Sequence, residues 1–281
     1  MKTGIIDVGG GFRDVFGAGV LDHCLDDGIA FDYCIGISAG SANLSSYLAG
    51  QRGRNYTFYM EYVFRKEYAS FRNYLRTGSY VGLDYAYGTL SNSGGEYPLD
   101  YEAMHANPAK FIVVACHAKT GQTVYFDARL MKKDKYDILK ASSSLPVVGP
   151  PYVAEGIPCF DGGLADPIPV KKAFADGCDR VVLILTRPVN QPRVQKKDLL
   201  NARLMSLSYP VASRRLRSRY RTYNDGVAYA QQLEKEGKVL ILAPDDLCGM
   251  TTLKKSRDSM QRLYDKGYRC GARVREFLSE K

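Results

Sequence analysis

Short apolar runs alternate with helical patterns along most of this chain, and that alternation restricts the possible folds more than any other feature. The runs Thr3–Val8, Tyr33–Ile37, Phe111–Ala118, Tyr125–Asp127, Val181–Leu185 and Val239–Leu242 have the length and composition of buried strands. Helical patterns fall near Phe16–Asp26, from Ser38 to about Ala49, near Tyr136–Ser143, over Tyr209–Glu236 and from Thr251 onward. Apolar strands separated by helices form a largely parallel sheet covered on both faces, because the crossovers lay helices against each side. A chain of 281 residues, 45% hydrophobic and 25% charged, can bury a sizeable core of this kind. The segment Asn55–Tyr87 interrupts the rhythm with closely spaced aromatics, and is expected either to pack or to cap an apolar cleft.

Several classes are disfavoured by composition. No run approaches the roughly 20 apolar residues of a membrane span. The opening residues turn acidic at Asp7 and glycine-rich at Gly9, unlike the apolar stretch of a signal peptide. Seven cysteines without a CxxC pair form neither a zinc site nor a disulfide framework, so a reducing, cytoplasmic setting is expected. The whole chain carries a net charge of +9, and residues 187–221 hold ten Lys or Arg against the single acid Asp198. That stretch is expected to contact an anionic membrane surface or to be a solvated helical face. No helix-turn-helix, zinc or RNA-binding signature accompanies the basic charge, so nucleic acid is not an expected partner.

Three local signals carry chemistry. Gly36-Ile37-Ser38-Ala39-Gly40 is a GxSxG sequence that follows a strand and opens a helix, the strand–turn–helix setting of a nucleophile elbow. Gly36 and Gly40 let such a strained turn pack closely, and the helix N-terminus favours negative charge beside Ser38. A serine hydroxyl needs a base. Of the histidines His23, His105 and His117, His117 ends an apolar strand and could point into the cleft, but none lies further along the chain, so the usual Ser, acid, His order fits poorly. The second signal is Gly9-Gly10-Gly11-Phe12-Arg13, whose bare amides can line an oxyanion hole. It lacks the Gly-Lys-Ser/Thr ending of a P-loop, and Asp14 stands where a dinucleotide fingerprint needs glycine. The third is Asp161-Gly162-Gly163, by itself a turn, but beside a histidine-free serine the candidate base.

The glycine loop, the GxSxG, Ala141-Ser142-Ser143-Ser144-Leu145-Pro146 and Asp161-Gly162-Gly163-Leu164-Ala165-Asp166-Pro167-Ile168-Pro169-Val170 occur in that order. The series resembles the patatin-like phospholipase family, and is similar to its bacterial cytoplasmic members in running from the glycine loop into Gly19-Val20-Leu21-Asp22. The resemblance covers roughly residues 4–170, and implies one domain over 1–281 whose C-terminal strands and helices, 171–281, complete the fold. It implies a three-layer α/β/α sandwich and a Ser–Asp dyad that hydrolyses acyl esters of lipids without calcium or any other cofactor. Ser38 would be the nucleophile and Asp161 the base. Gly9, Gly10 and Gly11 would line the oxyanion hole, with Arg13, Gly36, Gly40 and Gly162 in support. The family pattern has glycine after the loop's Arg or Lys. Asp14 departs from it, and is expected either to pair with Arg13 or to sit near the developing oxyanion. The alternative is a lipid- or anion-binding protein that kept the scaffold without catalysis.

Overall fold

The computed structural model describes residues 1–279, the side chain of Lys197 excepted. The chain opens with β1 (Thr3–Asp7), α1 (Val15–Asp26), β2 (Tyr33–Ile37) and α2 (Ala39–Leu48). Short helices α3 (Arg54–Met60), α4 (Phe71–Thr77) and α5 (Tyr101–Ala106) lead to β3 (Lys110–His117) and β4 (Thr123–Asp127). Next come α6 (Asp137–Ser142), β5 (Tyr152–Ala154), β6 (Ile157–Asp161), α7 (Val170–Ala175) and β7 (Arg180–Ile184). The last stretch holds α8 (Lys196–Met205), α9 (Pro210–Lys235), β8 (Val239–Leu242), α10 (Arg257–Gly271) and α11 (Arg273–Ser279).

The strands form one sheet in the order β5-β6-β3-β2-β1-β7-β8, with β4 also paired to β3. The centre, from β3 through β2, β1 and β7 to β8, is parallel. The β3–β4, β3–β6 and β5–β6 pairs are antiparallel. Neighbouring residues of the central strands point to opposite faces. Ile5 packs with Phe16, Val20 and Leu44 on one side. Ile6 packs with Leu183, Tyr223 and Val227 on the other. Helices therefore cover both faces, giving the expected three layers.

Two sequence expectations shift. The β5–β6 hairpin was hidden because β5 has only three residues and exposes Val153. Its turn, Glu155-Gly156, has φ of 49° and 73°, the positive pair that a two-residue hairpin loop uses. The last helix pattern, expected from Thr251, begins at Arg257, because Ser256 caps it by accepting a hydrogen bond from the Ser259 amide. Among the described residues, no helix is long and apolar enough to cross a membrane.

Candidate active site

Ser38 lies between the end of β2 and the start of α2 with φ 55° and ψ −128°, a conformation that L-residues rarely adopt. Packing holds it there. A Cβ on Gly36 would lie 2.4 Å from Ser41 Cα, and one on Gly40 would lie 2.4 Å from the Asp7 carbonyl oxygen. The Ser38 amide donates to Ser142 Oγ at 2.8 Å, and that hydroxyl donates to the Val114 carbonyl at 2.6 Å. The Ser38 carbonyl accepts from Ser41 Oγ at 2.6 Å. The serine-rich stretch before the third motif thus braces the strained turn, a role that sequence reasoning did not assign to Ser142.

Asp161 reaches the same place by strand register. β2 pairs with the first part of β3 as far as Ile37 opposite Val114. β6 continues along that edge with Asp161 opposite Ala115, since β4 occupies the other edge. Ser38 and Asp161 therefore leave their strands at successive positions of β3. Gly162 permits the junction, because a Cβ there would lie 2.2 Å from the Val114 carbonyl oxygen. Asp161 is 3% exposed, its Oδ1 accepts from the Gly163 amide at 2.8 Å, and its own amide donates to the Ser144 carbonyl at 2.8 Å. Among the described residues, Ser38 Oγ makes no hydrogen bond to Asp161.

The glycine loop crosses above the end of β1. Gly9, Gly10 and Gly11 all have positive φ, and a Cβ on Gly10 would lie 2.2 Å from Thr186 Oγ1. Thr186 Oγ1 donates to the Gly9 carbonyl at 2.5 Å, and the Phe12 amide donates to the Thr252 carbonyl at 3.1 Å. Among the described residues, the Gly10 and Gly11 amides have no protein acceptor. Arg13 folds back over the loop, its Nε donating to the Gly10 carbonyl at 3.3 Å.

Two cavities meet at Gly11, Ser38, Leu145 and Thr252. One, about 910 Å³ with its open mouth, is largely apolar; Phe12, Phe58, Tyr59, Tyr68, Leu83 and Leu139 are among its walls. The aromatic interruption of the sequence pattern thus supplies an apolar wall. The other, about 570 Å³, holds Asp161 and four arginines: Arg13, Arg187, Arg193 and Arg219. The basic stretch is consequently split. Arg187, Arg193 and Arg219 face this cleft, whereas Arg203, Arg214, Arg215, Arg217 and Arg221 are exposed.

Asp14 takes neither of the two roles expected of it. Its carboxyl makes no hydrogen bond to Arg13 and lines neither cavity; it is fully buried, with neither oxygen paired to a donor. It faces Asp7, also fully buried: a Cβ on Gly17 would lie 2.6 Å from Asp14 Oδ1 and 2.7 Å from Asp7 Oδ2. Burial pushes the Asp7 carboxyl up to about 6, against hydrogen bonds from its neighbours. Burial, and then the Asp7 charge, push Asp14 further above the carboxylate range. Two buried carboxyls facing each other disfavour the doubly ionised state, the direction in which both are pushed. Asp7 Oδ1 also accepts from the Gly9 amide at 3.1 Å, and Asn43 Nδ2 reaches Asp7 Oδ2 at 3.3 Å and the Asp14 carbonyl at 3.0 Å. The acid pair therefore underpins the glycine loop from inside the fold.

Among the described residues, no histidine lines either cavity. His117 Nδ1 accepts from the Lys119 amide at 3.2 Å in the turn after β3, and His23 lies 3.5 Å from Asp27 on α1.

A flanked central sheet with a serine turn over a two-part cleft defines a class of α/β proteins, and comparison with known families gives the particular one. The model of the patatin-like phospholipase family matches residues 8–174, and the chain belongs to that family. A second model, a domain of unknown function designated DUF6363, matches residues 209–280. The uncharacterized protein YjjU of Escherichia coli (strain K12) is 31% identical over 192 residues, 66% of this chain and 52% of YjjU, so the match spans about half of that relative's length. VipD from Legionella pneumophila superposes with a TM-score of 0.51 at 14% identity, covering 98% of this chain and 66% of that one; it shares the fold.

Proposed function

We propose that this chain is a serine acyl-hydrolase of lipid esters, acting through a Ser38–Asp161 dyad. The observation that carries the reading is the register of β3, which delivers a strained serine and a buried aspartate to one cleft at successive positions. A carboxylate is a weak base, so the Ser38 hydroxyl must turn to Asp161 as substrate closes the cleft to water. Ser38 Oγ attacks the acyl carbonyl while its proton passes to Asp161, and the free amides of Gly10 and Gly11 hold the oxyanion. Collapse of this intermediate breaks the ester C–O bond, and Asp161 returns the proton to the departing alcohol. Water then attacks the acyl-enzyme, giving a proton to Asp161; the acyl–Oγ bond breaks, Asp161 passes that proton to Ser38 Oγ, and the fatty acid leaves. The acyl chain lies in the apolar cavity. Every charge in this scheme is met by a protein group, so activity is expected to be independent of calcium.

Contact with a lipid surface is assigned to the outer face of α8 and its continuation. There Leu200, Leu204 and Leu207 are 66%, 63% and 95% exposed, with the exposed cation Arg203 on the same face of the helix. A greasy face bearing basic charge suits an anionic membrane.

Hydrolysis of a short-chain p-nitrophenyl ester by wild type, Ser38→Ala and Asp161→Asn tests the dyad. Loss of turnover in both variants with unchanged melting temperatures is expected. Turnover surviving in Ser38→Ala would remove the nucleophile assignment, and an inactive, correctly folded wild type would favour a lipid- or anion-binding protein.

A further inference from the structure

The arginine-lined half of the cleft is more heavily charged than ester hydrolysis needs. Arg193 is paired with Asp198, Nε to Oδ2 at 3.1 Å. Among the described residues, Arg13, Arg187 and Arg219 have no carboxylate within ion-pair distance, and the Nε atoms of Arg187 and Arg219 are shut off from solvent without any acceptor. Arg219 closes on Asp161 without pairing: a Cβ on Gly163 would lie 2.8 Å from Arg219 Nη2 and 3.0 Å from Asp161 Oδ1. Tyr223, one turn further along α9 and 8% exposed, lines the same wall. Burial first, then mutual repulsion, pulls the guanidinium groups down, Arg13 and Arg219 to about 10. Arginines retain their charge under these conditions, and desolvated cations without counter-charge await an anion.

We propose that Arg187 and Arg219, with Arg13, form a subsite for the phosphate group on the alcohol side of the scissile ester. The inference rests on the hydrolase reading and adds the substrate's charge to it. Ser38 stands at the junction of the two cavities, so an ester carbonyl placed there sends its acyl chain to the apolar side and its alcohol to the arginines. Guanidinium groups suit phosphate because their planar donors meet its oxygens in pairs. Both arginines lie outside the segment matched by the patatin-like model, and Arg219 lies within residues 209–280. The C-terminal stretch then contributes directly to the active site, because α9 supplies its anion-recognising wall.

Two measurements test the subsite. The first compares kcat/KM for a monoacyl glycerophosphate and for the neutral monoacylglycerol of the same chain length, in wild type and in Arg187→Gln/Arg219→Gln. The ratio of the two values cancels any effect of Arg219 on Asp161. It is expected to fall about 10²-fold, as the loss of one or two charge-assisted hydrogen bonds predicts, with partial recovery in Arg187→Lys/Arg219→Lys. An unchanged ratio in a variant with the wild-type melting temperature would overturn the proposal. The second titrates glycerol phosphate and inorganic phosphate into Ser38→Ala by calorimetry, with and without the two arginines, and so reads the anion site even if hydrolysis fails. Glycerol phosphate binding that disappears with the arginines supports the subsite. Binding of inorganic phosphate alone marks a free-phosphate site and refutes a substrate role, as does binding of neither.

Discussion

Replacing Asp14 by asparagine probes the buried acid pair under the glycine loop. Burial, joined for Asp14 by the Asp7 charge, raises both carboxyls of the pair above the ordinary carboxylate value of 3.8, so the folded state keeps protons that the unfolded chain releases near that value. A carboxyl raised in the folded state gives stability that is complete below its unfolded value and is lost as pH climbs through its folded value. The slope is about 1.4 kcal/mol per pH unit for each retained proton. Asp7, raised to about 6, accounts for about 3 kcal/mol lost between pH 4 and 6. Asp14, raised further, carries the decline through neutrality. An asparagine amide donates to Asp7 at any pH and removes one of two like charges. Urea unfolding at pH 5, 6, 7 and 8 should show wild-type stability falling steadily while Asp14→Asn stays flatter. The variant should gain about 2–3 kcal/mol relative to wild type at pH 8 and little at pH 5. Parallel curves for the two proteins, or a wild type that strengthens with pH, would refute the raised acid pair.

Three further outcomes follow from the geometry. Gly10→Ala sets a Cβ 2.2 Å from Thr186 Oγ1, so the loop must shift, and ester turnover should drop about 10²–10³-fold, the usual loss for one oxyanion donor. Ser142→Ala strips the Ser38 amide and the Val114 carbonyl of a buried partner; chemical denaturation should register a loss of about 1–3 kcal/mol together with slower turnover. Sedimentation with anionic vesicles should weaken at least about tenfold in Leu200→Glu/Leu204→Glu, since each buried leucine contributes about 1.5–3 kcal/mol, and equal sedimentation of both proteins would exclude that face.

The central parallel strands were legible because each is apolar on both faces and all but β3 are followed by a helix, and Tyr33–Ile37 and Val239–Leu242 were placed to the residue. The serine turn was equally plain, since glycines at 36 and 40 are demanded by contacts of 2.4 Å. Where long-range pairing decides the structure, the letters were silent. Nothing local in Ile157–Asp161 tells that it extends the edge of β3 beyond the end of β2, yet that register brings Asp161 to Ser38. The basic stretch had the same difficulty: helical period and crossing angle, not composition, decide that Arg219 faces the cleft while Arg217 and Arg221 face solvent. Asp14 looked like a defect beside the oxyanion hole because its buried partner is seven residues earlier, at the end of β1.

The central claim is that Ser38 is the nucleophile, and covalent trapping tests it most directly. Wild type treated with a fluorophosphonate and mapped by peptide mass spectrometry should carry one phosphonyl group on Ser38, with labelling much slower in Asp161→Asn and absent in Ser38→Ala. A phosphonyl group on any other residue, or labelling that persists in Ser38→Ala, would contradict the account.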